Sequence, residues 1–232
     1  MAIEIKDAPN EKQVTIIEPP FNFNAPDVNR YAPEITGNIL LQSLCSRLGW
    51  CDLSQKRLLD FGCGVRFART IINLGIPIGL YVGIDVNQAA ISWLRENISR
   101  PNFKFYHFDV ANEFYHPNGI SREAAIFPKT DAHGEYDAGC MFSVITHQMP
   151  EDARFIFSLL YGAVSSSGQM YFTAFLDDAV AKYAEGNPES PGLKSTYNPS
   201  FLCDLVEAEG WKVTNIYKPI NFQQFGILCR KV

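Results

Sequence analysis

Apolar residues at positions 35, 39, 41, 44, 45 and 48 fall near the three- and four-residue spacing of one helix face, and Gly49 would stop the helix predicted over about 31–50. A regular alternation follows. The run 57–62 ends in glycine, 67–74 has helical spacing closed by Gly75, and 80–85 is a second apolar run. Residues 87–98 carry Ala90, Ile91, Leu94 and Ile98 on one side, and 103–108 gives a third run. These runs are too apolar for half-exposed strands, so their β-α-β-α-β order predicts a parallel sheet covered on both faces. Further along, 136–144 predicts a fourth strand, 151–163 a helix begun after Pro150, Ser165 to Gly168 a turn and 169–175 a fifth strand. A helix over 199–209 and a closing strand pair, 212–217 and 222–230, complete the pattern. Two long stretches, 110–134 and 176–198, interrupt it, and loops of that length inside a compact domain are usually functional or flexible. No internal repeat is present.

The first thirty residues, with a short apolar run at Val14 to Ile17 and Glu18-Pro-Pro-Phe21, look like an arm lying over a domain that spans 31–232. With 232 residues, 47% hydrophobic and 19% charged, the chain can bury one sizeable core, and disorder or coiled coil describes it poorly. The net charge is −5 and no run of Lys or Arg exceeds two, so an electrostatic footprint for nucleic acid is missing. The amino terminus has no basic segment followed by an apolar one, and no stretch reaches ~18 apolar residues. The expectation is a soluble, cytoplasmic protein that avoids membranes and takes a small-molecule partner. Six cysteines are spread along the chain with no Cys-x-x-Cys pair and no histidine at zinc-finger spacing. They predict buried free thiols, a reducing compartment and no metal.

The chemistry concentrates in Asp60-Phe61-Gly62-Cys63-Gly64-Val65-Arg66. A strand running into Gly-x-Gly and then a helix lets the backbone turn sharply, lets a ligand lie against the main chain and turns helix-start N–H groups toward it. Asp85 ends the second strand, where an acid can accept both hydroxyls of a ribose, and Asp109 follows the third. Because ligands of an open α/β sheet bind beyond the carboxyl ends of its strands, the three acids are expected on one edge. A dinucleotide-binding oxidoreductase would also end its second strand in an acid. Its fingerprint, however, wants Gly-x-Gly-x-x-Gly, and the third place here is Phe67.

Leu59 to Val65 followed by Val82-Gly-Ile-Asp85 resembles the class I S-adenosylmethionine-dependent methyltransferases. The resemblance covers roughly 31–232, and Phe142-Ser-Val-Ile-Thr-His147 is similar to a strand-end signature of many small-molecule members. It implies a single-domain α/β, Rossmann-like methyltransferase fold: a mostly parallel seven-stranded sheet in the order 3-2-1-4-5-7-6, the seventh strand antiparallel, with helices on both faces. It implies S-adenosylmethionine as cofactor and methyl transfer to an oxygen or nitrogen of a small molecule, by a monomer or homodimer. By position, Asp60 and the main chain of Gly62, Cys63 and Gly64 would hold the methionine end, with Phe142 also on the cofactor side. Asp85 with Val86 would hold the ribose, and Asp109 with Val110 the adenine. The family's third glycine is replaced by Arg66, which could instead reach the cofactor carboxylate. His147, with an unperturbed pKa near ~6.5, is the candidate base, whereas Asp137 starts the fourth strand about 20 Å away and reads as structural. Phe21, Phe23 and Tyr31 near the arm, and Tyr115, Phe127 and Tyr183 in the interruptions, would roof an acceptor or pack in the core. Two other classes remain: a methyltransferase-fold protein that binds the cofactor without transferring the methyl, and an NAD(P)-binding oxidoreductase.

Overall fold

The computed structural model describes residues 33–112, 115–130, 132–186, 194–219 and 223–232. The arm over 1–30, Tyr31, the middle of the second interruption and Phe222 therefore lie outside the described residues. In chain order the elements are α1 (Pro33–Leu48), β1 (Arg57–Phe61), α2 (Arg66–Asn73), β2 (Leu80–Asp85), α3 (Gln88–Asn97), β3 (Phe103–His107) and β4 (Tyr136–Met141). After β4 come α4 (Pro150–Ala163), β5 (Val164–Leu176), β6 (Tyr183–Glu185), β7 (Ser195–Tyr197), α5 (Pro199–Glu207), β8 (Trp211–Tyr217) and β9 (Phe225–Lys231).

Seven strands form the main sheet, in the order β3-β2-β1-β4-β5-β9-β8. All run parallel except β9, which is antiparallel to both its neighbours. Counted without the two short strands of the second interruption, this is 3-2-1-4-5-7-6, the order the resemblance implied. The short strands are an addition that three-residue segments cannot announce by periodicity. β7 pairs parallel with Phe175 and Leu176 at the end of β5, and β6 pairs with β7.

Strand alternation divides the core into two layers. Leu58, Tyr81, Phe103, Phe105, Cys140 and Tyr171 face α1, α2 and α3, while Leu59, Val82, Ile84, Met141 and Phe172 face α4 and α5. Most of these side chains are fully buried, each contributing roughly 1.5–3 kcal/mol. Helix starts are built from local chemistry. Asn87 caps α3 by accepting from Ala90 N at 3.0 Å, Asn198 caps α5, and Pro150 opens α4 with Glu151 and Asp152 in its first turn. α1 lies directly on α2 because Gly37 has no Cβ; one built there would stand 2.0 Å from Thr70 Oγ1.

Two expectations change. Ser165 to Gly168 do not end the chain's strand structure in a turn: they swell out within β5, between the pairs Tyr136–Val164 and Ala138–Gln169. Gly168 permits this, since a Cβ there would meet Val164 Cγ1 at 2.2 Å and Tyr136 O at 2.9 Å. All six cysteines are free, but Cys51 is exposed and Cys203 half-buried, so only four are core thiols. Among the described residues no helix is long and apolar enough to cross a membrane.

Candidate functional site

The glycine turn and β2 are tied together by main chain. Gly62 N and Cys63 N both donate to Ile84 O, at 2.7 and 3.1 Å, so these N–H groups hold the turn to the sheet. Gly62 and Gly64 have φ of +73° and +48°, the left-handed region that glycine enters without penalty. Gly62 is exposed, and a Cβ there would stand 2.4 Å from Val144 Cγ2. Beneath the turn, the Cys63 thiol occupies the place of a missing side chain at Gly83, whose Cβ would be 2.8 Å from it. The following helix, α2, has no side-chain cap, so its first N–H groups are the turn's remaining donors.

Asp85 closes the arrangement. Its Oδ2 accepts from Gly64 N and its Oδ1 from Asn87 N, each at 2.8 Å, so one carboxylate fixes both the glycine turn and the start of α3. Burial pushes its pKa up, and the N–H groups of Asn87, Gly64 and Val86 oppose that rise. Val86 is half-buried, and its carbonyl lies 3.1 Å from His107 Nε2.

Asp60, like Asp85 at 6% exposure, is buried, whereas Asp109 is exposed. Asp60 shares the sheet face of Leu58, toward α1 and α2, where it is 3% exposed. It accepts from Tyr81 Oη at 2.6 Å, with the Cys140 thiol 3.6 Å from its other oxygen. Burial pushes its pKa up from the ordinary 3.8 to about 7; the Tyr81 and Cys140 hydrogen bonds and the Arg66 charge pull the other way, and the Asp85 charge adds to the rise. Arg66 is itself half-buried. A carboxyl that holds its proton more tightly folded than unfolded contributes stability below about pH 4, which is lost as pH rises through about 7. Asp60→Asn removes that dependence. Urea denaturation between pH 5 and 8 is expected to show the variant gaining on the parent by on the order of 2 kcal/mol as pH rises; parallel curves would show that Asp60 does not titrate in this range.

Beyond β3, Asp109 is exposed and its Oδ1 lies 2.7 Å from His116 Nε2, a contact that holds its carboxyl below the usual range. Val110 is half-buried and bridged to Ile120. His147 sits in a single 3₁₀ turn, Ile145–His147, after β4. Tyr115 meets it edge-on, ring centroids 5.5 Å apart, so the first interruption comes back to this end of the sheet. Phe142 turns its ring into the core against Phe67 (5.1 Å) and Tyr171 (5.6 Å), which leaves its main chain as what it can offer a ligand. Phe127 also packs in the core, stacked on Phe61, and Tyr183 packs on Tyr197. Asp137 is structural, accepting from Arg57 N at 2.8 Å.

One cluster has no counterpart in the sequence analysis. Ser143, at a left-handed φ of +60°, donates its N–H to Thr173 Oγ1 (2.9 Å), and Gln224 meets both hydroxyls, accepting from Thr173 at 2.6 Å. A non-glycine residue in that region directly after a strand is the signal of a shaped site, but its φ is not legible in the sequence.

The sheet order with an antiparallel β9, and an acid ending β2 beside a glycine turn, define the fold of the class I S-adenosylmethionine-dependent methyltransferases. No protein-family model matches the chain. It is 24% identical over 180 residues to a ribosomal protein L11 methyltransferase of Neisseria meningitidis serogroup B, covering 76% of this chain and 49% of that protein. To the ribosomal protein L11 methyltransferase of Yersinia pseudotuberculosis serotype O:1b it is 25% identical over 186 residues, 79% of this chain and 53% of that one. The chain thus spans about half the length of the curated relatives it matches. Among solved structures, an S-adenosylmethionine-dependent methyltransferase from Mesorhizobium loti superposes with a TM-score of 0.55 at 12% identity, over 82% of this chain and 96% of that one. Magnesium protoporphyrin IX methyltransferase from Synechocystis, solved with S-adenosylmethionine bound, gives 0.55 at 12% identity over 90% and 88%.

Proposed function

We propose that the chain is a methyltransferase that uses S-adenosylmethionine to methylate an oxygen or nitrogen of a small molecule. The observation that carries this is Asp85. Its carboxylate ends β2 and holds the main chain of an exposed glycine turn that has no room for a side chain at residue 62, where a Cβ would strike Val144. That donor set fits a nucleoside carrying an amino-acid tail. Asp85 and Val86 hold the ribose, Asp109 and Val110 border the adenine, and the methionine end lies against the turn at Gly62, Cys63 and Gly64, met by the first N–H groups of α2 and the main chain of Phe142. Asp60, being buried, acts as a positioning residue beneath the turn. When bound, the cofactor supplies an electrophilic methyl on a sulfonium. The chain's part is to hold the acceptor in line with that methyl and, through His147, to take the acceptor's proton. An antiparallel strand between β5 and β8 is foreign to the six-stranded parallel dinucleotide order, which disfavours the NAD(P) alternative.

Calorimetry with S-adenosylmethionine and S-adenosylhomocysteine tests the cofactor, with binding of both expected. Heat from a nicotinamide cofactor and from neither sulfur compound would overturn the assignment, and cofactor binding without turnover on a broad acceptor panel would favour a non-catalytic binding protein. The relatives' names support a second reading, a protein acceptor. Transfer of radiolabelled methyl into ribosomal proteins, and into no small molecule, would establish that instead.

A further inference from the structure

His107, Asp109 and His116 lie together at the carboxyl end of β3. One ring nitrogen of each histidine and one carboxylate oxygen of Asp109 are within 4.8 Å of one another. The topology makes this a built cluster. His107 and Asp109 stand two residues apart as the chain leaves β3, so alternation puts them on one side. His116 is returned to them by its own loop: Asn112 and His116 exchange main-chain hydrogen bonds at 2.9 and 3.1 Å, and Ala111 N donates to Ile120 O at 2.8 Å. His107 is also oriented from behind. Its Nε2 lies 3.1 Å from the Val86 carbonyl, and in the tautomer that donates there Nδ1 keeps the lone pair. Metal-ligating histidines are commonly fixed in this way, by a backbone carbonyl on the second nitrogen.

We propose that these three residues bind a divalent transition-metal ion of the zinc class. Two imidazoles and a carboxylate form a donor set suited to zinc and its neighbours, and unsuited to magnesium or calcium, which take oxygen ligands. Ligands ~2.0–2.2 Å from a tetrahedral ion sit roughly 3.3–3.6 Å apart, so the His116–Asp109 pair must open by under about 1 Å and the wider separations close by on the order of 1 Å, shifts that side-chain rotation supplies. His116 Nε2 and Asp109 Oδ1 are already at 2.7 Å, and an ion between them would take the place of the shared proton. The side chains of His116 and Asp109 are 26% and 47% exposed, so an ion can enter from solvent and water can complete its shell. Bound there, it would staple the start of the first interruption to β3. The expectation of no metal came from cysteine spacing and zinc-finger histidines; this cluster uses neither.

The site shares Asp109 with the proposed adenine border, and its test needs no cofactor. The untagged, chelator-treated full chain is titrated with zinc chloride by calorimetry, and with cobalt(II) while visible absorption is recorded. One ion per chain is expected, with ligand-field bands that zinc abolishes. His107→Gln and His116→Gln should each weaken zinc binding at least ~10-fold, while His133→Gln, outside the cluster, should leave it within about twofold. Absence of saturable one-to-one binding would overturn the proposal and leave His116 and Asp109 as a plain ion pair. So would a His116→Gln protein, folded by circular dichroism, that binds zinc as tightly as the parent. Failure of S-adenosylmethionine binding alone would sink the methyltransferase assignment and leave this site standing.

Discussion

Asp85→Ala is expected to lower affinity for S-adenosylmethionine by about 100-fold or more. The carboxylate does two jobs. It accepts from Gly64 N and Asn87 N, which sets the glycine turn against the start of α3. In the proposed complex it also takes the ribose hydroxyls. Hydrogen bonds to a charged group are worth roughly 1.5–3 kcal/mol each, and 2.8 kcal/mol is about 100-fold in affinity. Asp85→Asn is expected to fail nearly as badly, because an amide presents one acceptor and one donor to two N–H groups, leaving one of them facing another donor. Calorimetry measures the affinity, and urea denaturation of the same proteins separates lost binding from lost fold. Affinity within threefold of the parent in a folded Asp85→Ala protein would remove Asp85 from the cofactor site.

The largest expected effect on stability belongs to Trp211→Ala, about 3–5 kcal/mol, out of the 5–15 kcal/mol by which such domains are stable. Trp211 begins β8 and is 1% exposed. Its indole N–H donates to Phe157 O in α4 at 2.9 Å, and its ring meets Tyr161 edge-on at 5.6 Å. Tyr161 is held in turn by the strand next to Trp211: its hydroxyl donates to Val232 O, and Lys231 Nζ donates to its carbonyl at 2.7 Å. Trp211 therefore fastens the outermost strand of the main sheet to the helix packed on that face, and alanine leaves a cavity where the two meet. Trp211→Phe keeps most of the volume and loses the N–H donor, so it should cost about 1 kcal/mol plus some packing. Midpoints of urea denaturation check the series, and near-equal midpoints for parent and Trp211→Ala would contradict it.

Much of the architecture was legible because buried parallel strands announce themselves. The runs ending at Phe61 and Asp85 are apolar on both faces and stop at glycine or acid, and their helices end or begin within a residue of the expected places. Where a side chain points was less legible. In a sheet covered on both sides, alternation puts Asp60 and Asp85 on one face with Leu58 and Tyr81 but does not say how deeply each is covered, and both are buried. Ser165 to Gly168 have turn composition, and only the contact of Gly168 with Tyr136 O turns that composition into a swelling of a strand. The ring of Phe142 and the left-handed Ser143 are likewise decided by distant partners, Phe67, Tyr171 and Thr173. His107 and Asp109 could have been paired by their two-residue spacing. Nothing short of the loop's own ladder returns His116 to them.

β9 follows β8 in the chain yet lies between β8 and β5. During synthesis, the ribosome delivers Trp211–Tyr217 before the strand to which they must pair exists, so β8 waits unpaired until residues 225–231 have left the exit tunnel. Until then the edge of β5 stands open to chaperones or to neighbouring nascent chains. A break in the chain within those residues would remove an interior strand and with it the anchorage of the one outside it.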